Sequence, residues 1–578
     1  MSLTSVITTA SAALQNTQYQ IAVTSGNIAN ASTAGATQKT YTSTSSASLT
    51  SALTTGEVTR ITDAYLSKTV NTASSTDGAS SVINSYLASY DDDLGSVSSG
   101  DDVSSDLTAF QTALSTLAAS PSSTSDKAAV VSAASSLATN ISDLSSTIQT
   151  LRTQASTDIG TTVASINTDL ASIASLNTQI AAATNSGADA TGLEDQRDST
   201  LTDLASQVGV SYYTDSNNQL VVYDQGGDQL VSGGTAATLS YTGTGQLSAA
   251  TTYPGTISGI TLNGTDVTSS LTSGTLGGLI TLRDTTLPAQ QDQLDQLASS
   301  LITTTNAAAN TGTAYPAPSS LTSDAAVSSS DSFSATGTVR IAVTSSTGTV
   351  VSTTDLDLSS YTTVSGLLAG LNSISGISAS ISSAGKLVIS TTDSSTGVAI
   401  NGLTSSVGSS DQGFSDYFGF NDVFTGDDAS TIAVSSTLTA NSATLATGTL
   451  SDSATLAAGD AGLTTSDASA ITALTTALTA SQTLAADGSA SAQTTTIAAA
   501  ATSFVSAAAS VISDASTAAT DNDTALTTAT NTLSNTVGIS VDQQTALLTQ
   551  YQNQYEATAQ LMTAAKAMFA SLITMMEA

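Results

Sequence analysis

The 578-residue chain contains no cysteine, no histidine and no tryptophan. Without cysteine there is no disulfide, no thiol nucleophile and no thiolate metal site. Without histidine, the usual general base, the Ser-His-Asp triad and imidazole ligation are gone as well. Cations are scarce: Lys plus Arg number 10 against 45 Asp plus Glu, a formal charge of −35. So few, spread along the chain, cannot neutralise a phosphate backbone, which argues against nucleic acid and anionic membrane surfaces. Aromatics make up 4% of the chain. Cores must therefore come from Leu, Ile, Val and Ala, whose small areas favour long, thin helical contacts. No uninterrupted apolar run approaches the ~18 residues of a membrane-spanning helix, so no membrane insertion is expected. The N-terminus lacks the basic and apolar stretches of a cleaved secretory signal; its first basic residue is Lys39.

What is present is Ser, Thr, Ala and Asp. Glu occurs only at Glu57, Glu194, Glu556 and Glu577. Charged residues are 10% of the chain, so it is polar without being ionic, as in bacterial surface or secreted proteins.

Ile7, Ala10, Leu14, Thr17, Ile21, Thr24 and Ile28 alternate three and four apart, a heptad seam on one helix face. Asn27, Asn30 and Gly35 stop it. An extended Ser/Thr segment is expected over 36–62. From Asp63 to about Gly209 the pattern is helical, with one helix over Asp101–Ala119 and a very long one from Asp126 to about Thr184. Thr191-Gly192-Leu193-Glu194 matches a capping box. Leu193, Leu201, Leu204 and Val208 would form the buried face of the helix it opens. At Val210 the period changes. Asn217-Asn218 between apolar runs signals a hairpin, and short strands are expected to about Leu282. A helix follows to about Asn310, then a second β tract over roughly 320–450. From Asp467 the pattern is helical again. The last helix carries a second seam: Leu548, Tyr551, Tyr555, Thr558, Met562, Ala565, Phe569, Leu572 and Met576.

The fold class expected is α+β and multidomain: a long helical bundle or coiled coil formed by the N- and C-terminal segments, with inserted β-rich outer domains. The expected division is 1–45 with 536–578 as a paired-helix axial core. A long-helix bundle takes 46–209, 286–312 and 455–535. Residues 210–285 form a β-rich insertion and 313–454 a β-rich outer domain. Ala and Thr make weak seams, so the terminal pair is marginal alone and suited to packing against other subunits.

Candidate chemical sites are few. Asp91-Asp92-Asp93 and Asp101-Asp102 read as solvated helix ends rather than a calcium site. Glu194, Asp195 and Asp198, with Arg197 among them, read as a cap and an ion-pair surface. Gly226-Gly227 and Gly277-Gly278 read as turns, since no phosphate-loop pattern surrounds them. Phe414, Tyr417, Phe418, Phe420 and Phe424 read as a local core. No catalytic residue, metal or cofactor is expected.

Four stretches resemble the family of flagellar hook-associated protein 1, the first hook–filament junction protein. They are Asn27 to Gly35; Leu193-Glu194-Asp195-Gln196-Arg197-Asp198 running into Val210; Gly274 to Asp284, including Gly277 and Gly278, which is similar to the family's strand-to-helix turn; and Ser540 to Phe569. The family usually has an aromatic after the motif glycine and a basic residue soon after. Ala36 and Gln38 stand there, and the family's contacts are not assigned to them. The resemblance implies a structural, non-enzymatic subunit of the bacterial flagellum, extracellular at the hook–filament junction. It implies export by the flagellar type III apparatus without a cleaved signal, self-assembly into a ring, and neighbours in the hook protein and the second junction protein. An export chaperone would bind the C-terminal helix. Subunit packing would fall to Ile7, Leu14, Ile21, Ile28, Leu548, Tyr551, Tyr555, Met562, Phe569 and Leu572. The alternatives are the second junction protein, a flagellin-like filament subunit, or a secreted β-rich adhesin.

Overall fold

A computed structural model describes residues 3–43, 56–96, 98–243 and 245–577. The part of the expected extended segment between 44 and 55 lies outside the described residues. Helix α1 (Leu3–Asn30) leads to two short antiparallel strands, β1 (Lys39–Thr42) and β2 (Glu57–Arg60), which set Lys39 opposite Arg60. Four helices follow: α2 (Ala64–Leu94), α3 (Val103–Ala119), α4 (Thr124–Ser186) and α5 (Thr191–Gln207). Strands β3 (Val210–Thr214), β4 (Leu220–Asp224) and β5 (Gln229–Ser232) form an antiparallel meander completed by Thr235–Ala236. Helix α6 (Gly274–Thr281) continues through a π-turn, Leu282–Thr286, into α7 (Leu287–Ala309).

The outer β region has two antiparallel three-stranded sheets. One centres on Thr338–Ser345, the other on Lys386–Thr391. Helices α8 (Val364–Asn372) and α9 (Phe414–Phe418) complete it. The chain then returns through α10 (Ser436–Ala440), α11 (Ser469–Thr479), α12 (Ile497–Val537) and α13 (Val541–Glu577).

Helix α4 is the spine: 63 residues, roughly 95 Å at 1.5 Å per residue. Ser123 caps its start by accepting from the Asp126 N–H, and Gly187, left-handed at φ 70°, ends it. Its buried stripe runs Val130, Ala134, Leu137, Ile141, Leu144, Ile148, then Ile159, Val163, Ile166, Leu170, Ile173 and Ile180. Of the polar residues buried on this stripe, two bind β-tract backbone. Arg152 donates to the carbonyls of Arg283, Ser248 and Thr251. Asn177 donates to the carbonyls of Leu220 and Gly233 and accepts from the Leu220 N–H. A buried guanidinium or amide is tolerated only when its hydrogen bonds are made, so these two positions fix where the 210–285 tract docks.

The side chains form two main cores. The larger joins α2–α7, the meander, α11 and the start of α12. The smaller, from Leu321 to Phe420, belongs to the outer sheets. Val423, Phe424 and Ile432 pack back into the larger core, so the 313–454 tract is divided between the two. The aromatic cluster divides at the same place. Phe414, Phe418 and Phe420 share the outer core, whereas Phe424 meets Phe110 edge-on at 5.8 Å in the bundle.

Several sequence expectations need correction. Strands end at Asp266 rather than near Leu282. Gly277 and Gly278 are not turns. They lie inside α6, where it crosses α2, and a Cβ on Gly278 would stand 2.7 Å from the Ala79 carbonyl. The stretch therefore runs helix into helix rather than strand into helix. The chain is not continuously helical from Asp467, because a hairpin of Gln482–Leu484 with Gln493–Thr495 separates α11 from α12. One helical window within Ile497–Met576 reaches a mean hydropathy of 1.4 over 18 residues, membrane-like by composition, although it holds no uninterrupted apolar run; 33% of it is buried within the protein.

Candidate functional site: the paired termini and their joint

Helices α1 and α13 pack antiparallel. Gln18 Nε2 donates to the Tyr555 hydroxyl at 3.3 Å, and Asn27 Nδ2 to Gln544 Oε1 at 2.9 Å. The seam residues fully buried on α1 are the small ones, Ala10, Thr17 and Thr24, which let the helices approach closely; Asn27 is buried with them. Ile7, Leu14, Ile21 and Ile28 flank this line, half-buried. On α13, Ala565 is buried while Leu548, Tyr551, Tyr555 and Met562 are half-buried. The two bonds set the register, which places Leu3 across from about Phe569. Phe569 and Leu572, together with Ile573, Met575 and Met576 beyond them, are exposed.

The pair is held to the bundle by a polar joint. Asn27 acts there as a strand partner: its Nδ2 donates to the Lys39 carbonyl at 2.8 Å and its Oδ1 accepts the Lys39 N–H at 3.1 Å. That reciprocal pair locks the start of β1 onto the end of α1. Gly35 takes φ 75°, a left-handed conformation that glycine adopts without strain, and its Cα faces Ser199 of α5. Gln38 joins both ends of the chain through backbone alone, its N–H donating to the Val537 carbonyl and its own carbonyl accepting from Ile61.

Helix α5 supplies the acids. Arg60 Nε reaches Glu194 at 2.8 Å, and its Nη1 reaches Asp198 at 2.6 Å and Asp195 at 3.2 Å. Lys39 Nζ lies 3.2 Å from Asp195, and the Thr37 hydroxyl donates to the same carboxylate at 2.6 Å. Burial opposes the charge on Arg60, but Asp198, Glu194 and Asp195 outweigh it and hold the guanidinium above its ordinary pKa. Arg197 faces the other way. It is 1% exposed and donates to Asn177 Oδ1 and, at 2.7 Å, to the Asn218 carbonyl in the β3–β4 turn. Burial lowers its pKa, and Arg60 adds to that against the pull of Asp198. So α5 is a bracket, with acids toward the paired termini and Arg197 toward the meander and α4.

The expected capping box is absent. Ala190 is the N-cap, and its methyl offers no acceptor for a cap bond; Thr191, expected at the cap, is the first helical residue, and its N–H and hydroxyl both donate to Asp189. Glu194 is instead taken by Arg60 and by Asn218, whose Nδ2 donates to it at 2.5 Å. Leu193 is half-buried rather than in the core.

Asn27, Asn30, Gly35, Lys39, Asp195 and Ile539 border a cavity of about 320 Å³ at this joint. The structure thus gathers Asn27, Asn30, Gly35, Asp195 and Asp198 from the motif residues, and leaves Gly277 and Gly278 at the α2–α6 crossing. Sequence reasoning missed Lys39 and Arg60. Their signal was simple: two of only ten cations lie in a short segment facing an acidic helix. Among the described residues, no cluster of acids is arranged to hold a metal ion.

Terminal helices paired at one end, a long-helix bundle beyond a polar joint and an outboard β region make up an architecture similar to that of a hook junction protein of the bacterial flagellum. Residues 87–317 match the family model described as the flagellar hook-associated protein FlgK helical domain. Among solved structures, the fold is similar to that of the flagellar hook junction protein FlgK from Burkholderia pseudomallei. The two share 18% identity and a TM-score of 0.50 over 80% of this chain and 98% of that one. No curated protein sequence matches significantly. The particular protein this chain resembles is flagellar hook-associated protein 1.

Proposed function

We propose that the chain is a non-enzymatic adaptor that joins the flagellar hook to the filament. One observation carries this reading most directly: α13 holds exposed large apolar residues, Leu561, Met568 and Phe569 alongside α1 and Leu572 to Met576 beyond the level of Leu3. A monomer gains nothing from exposing such residues, whereas a packed tube of subunits would bury them. In this reading the subunits close into a ring, with the hook protein on one side and the second junction protein on the other. The outer β region faces away from the axis. The chain leaves the cell through the flagellar type III apparatus, with an export chaperone holding the apolar face of α13 beforehand. The joint around Arg60 transmits load between the axial pair and the bundle.

The test is a chain lacking residues 541–578, expressed in cells without the full-length protein. The bundle and β region should still fold, by circular dichroism and cooperative melting, while filaments fail to form. Filaments growing on the truncated protein would end this reading.

A further inference from the structure

A second polar strip lies where the chain crosses between the two cores. Going outward, it leaves the bundle core at Ala309 and enters the outer core at Leu321; coming back, it leaves the outer core at Phe420 and re-enters the bundle core at Val423. The two crossings are tied side by side. Asn310 Nδ2 donates to Asp422 at 2.6 Å, and Asn310 Oδ1 accepts the Asn421 N–H at 2.9 Å. Asn421 Nδ2 donates back to the Gly312 carbonyl at 3.1 Å. One turn earlier on α7, Asn306 Oδ1 accepts the N–H groups of Val423 and Phe424, and its Nδ2 donates to the Phe424 carbonyl.

The environment of Asp422 is hostile to its charge. Asp324 faces it from Ser320–Ala326 and Asp416 from α9. Among the described residues the nearby cation is Lys386 on Lys386–Thr391, and it is engaged by Asp324 at 3.0 Å. Asn310 stabilises the carboxylate with a single hydrogen bond, which is too little to offset desolvation with two like charges near.

We infer that this strip is a proton-tightened latch between the helix bundle and the outer β region: protonation of Asp422 locks the two crossings together, and its ionisation loosens them. Burial, with Asp324 and Asp416 adding to it, raises the Asp422 carboxyl to about 7. No histidine competes for protons in this range. The sign follows from linkage. A carboxyl raised in the closed state and ordinary in the open one favours closure at low pH, and loses that advantage as pH rises through its closed-state value. Between pH 6 and 8 the local opening constant should rise about tenfold for one such group.

Amide hydrogen exchange on the full chain reads this directly. Opening at Asn421, Val423 and Phe424, corrected for intrinsic exchange, should rise about tenfold from pH 6 to pH 8, with amides in mid-α4 as controls. Asp422→Asn keeps the acceptor for Asn310 but removes the proton, and should exchange alike at both pH values. Equal opening at pH 6 and 8 in the unaltered chain overturns the latch, as does an Asp422→Asn chain that keeps the full rise. Carbon-13 titration of the Asp422 carboxyl in the unaltered protein needs no variant; an ordinary aspartate pKa there would also overturn it.

Discussion

At the scale of single residues, the joint depends on Arg60. Among the described residues it is the one side chain that touches Glu194, Asp195 and Asp198 together. Removing it leaves three carboxylates converging, with Lys39 near Asp195 and Arg197 at 4.0 Å from Asp198 as the remaining cations beside them. Arg60→Ala should therefore weaken the joint by on the order of 2–4 kcal/mol, somewhat below a fully buried pair because Asp198 is half-open to solvent. The measurement is amide exchange across β1 and β2, with protection in α4 unchanged. Arg60→Lys should fall between, since a point charge cannot reach three acids as a planar fork does. A variant indistinguishable from the parent would show that Asn27 and backbone bonds suffice. Asp295 gives a separate test. It is 8% exposed and accepts from Gln291 and the Ala429 N–H, with Asp428 and Asp487 adding repulsion, and burial raises it to about 6. That stability is present below about pH 4 and lost as pH rises through 6. Asp295→Asn should raise the melting temperature at pH 7.5 and lose that advantage by pH 4.5. Little of this was readable in the sequence. Asp195 and Asp198 stood out as an ion-pair surface, but their partners lie over a hundred residues away, and only the tertiary fold pairs them.

At the scale of elements, periodicity was legible and crossings were not. The apolar stripe of α4 is plain in sequence because it needs only one helix face. Arg152 and Asn177 on that stripe look like defects until β-tract carbonyls are placed against them. Gly277-Gly278 was misread for a similar reason. Glycine favours turns locally, but here Gly278 is required because α2 lies against it, and Gly277 because the Leu271–Thr272 backbone does. Gly278→Ala separates the two explanations. Helix propensity alone predicts a gain of about 1 kcal/mol. A Cβ 2.5 Å from Val82 Cγ1 and 2.7 Å from a backbone carbonyl predicts overpacking worth about 1–3 kcal/mol. The second should win, so a net loss is expected in urea unfolding; a gain would show that the α2 crossing has room for a methyl group and does not require glycine. The terminal seam makes its own prediction. With Ala10, Thr17 and Thr24 as its buried line, α1 has little apolar area holding it to α13. Its amides should exchange rapidly in dilute monomer and slow on assembly. Full protection of residues 3–28 in the monomer would contradict that.

At the scale of the whole molecule, the ends of the chain meet at one end of the structure, and the outer β region stands beyond the bundle. Heptads at both ends with β tracts between them already implied that layout. What they could not show is the uneven overlap, in which α13 runs past the level of Leu3 and leaves Leu572 to Met576 exposed. The central claim is that it joins hook to filament. It is tested most directly by deleting the gene and viewing the cells by electron microscopy. The account predicts hooks without filaments and flagellin shed into the medium. Filaments of normal length on the deletion strain would contradict it.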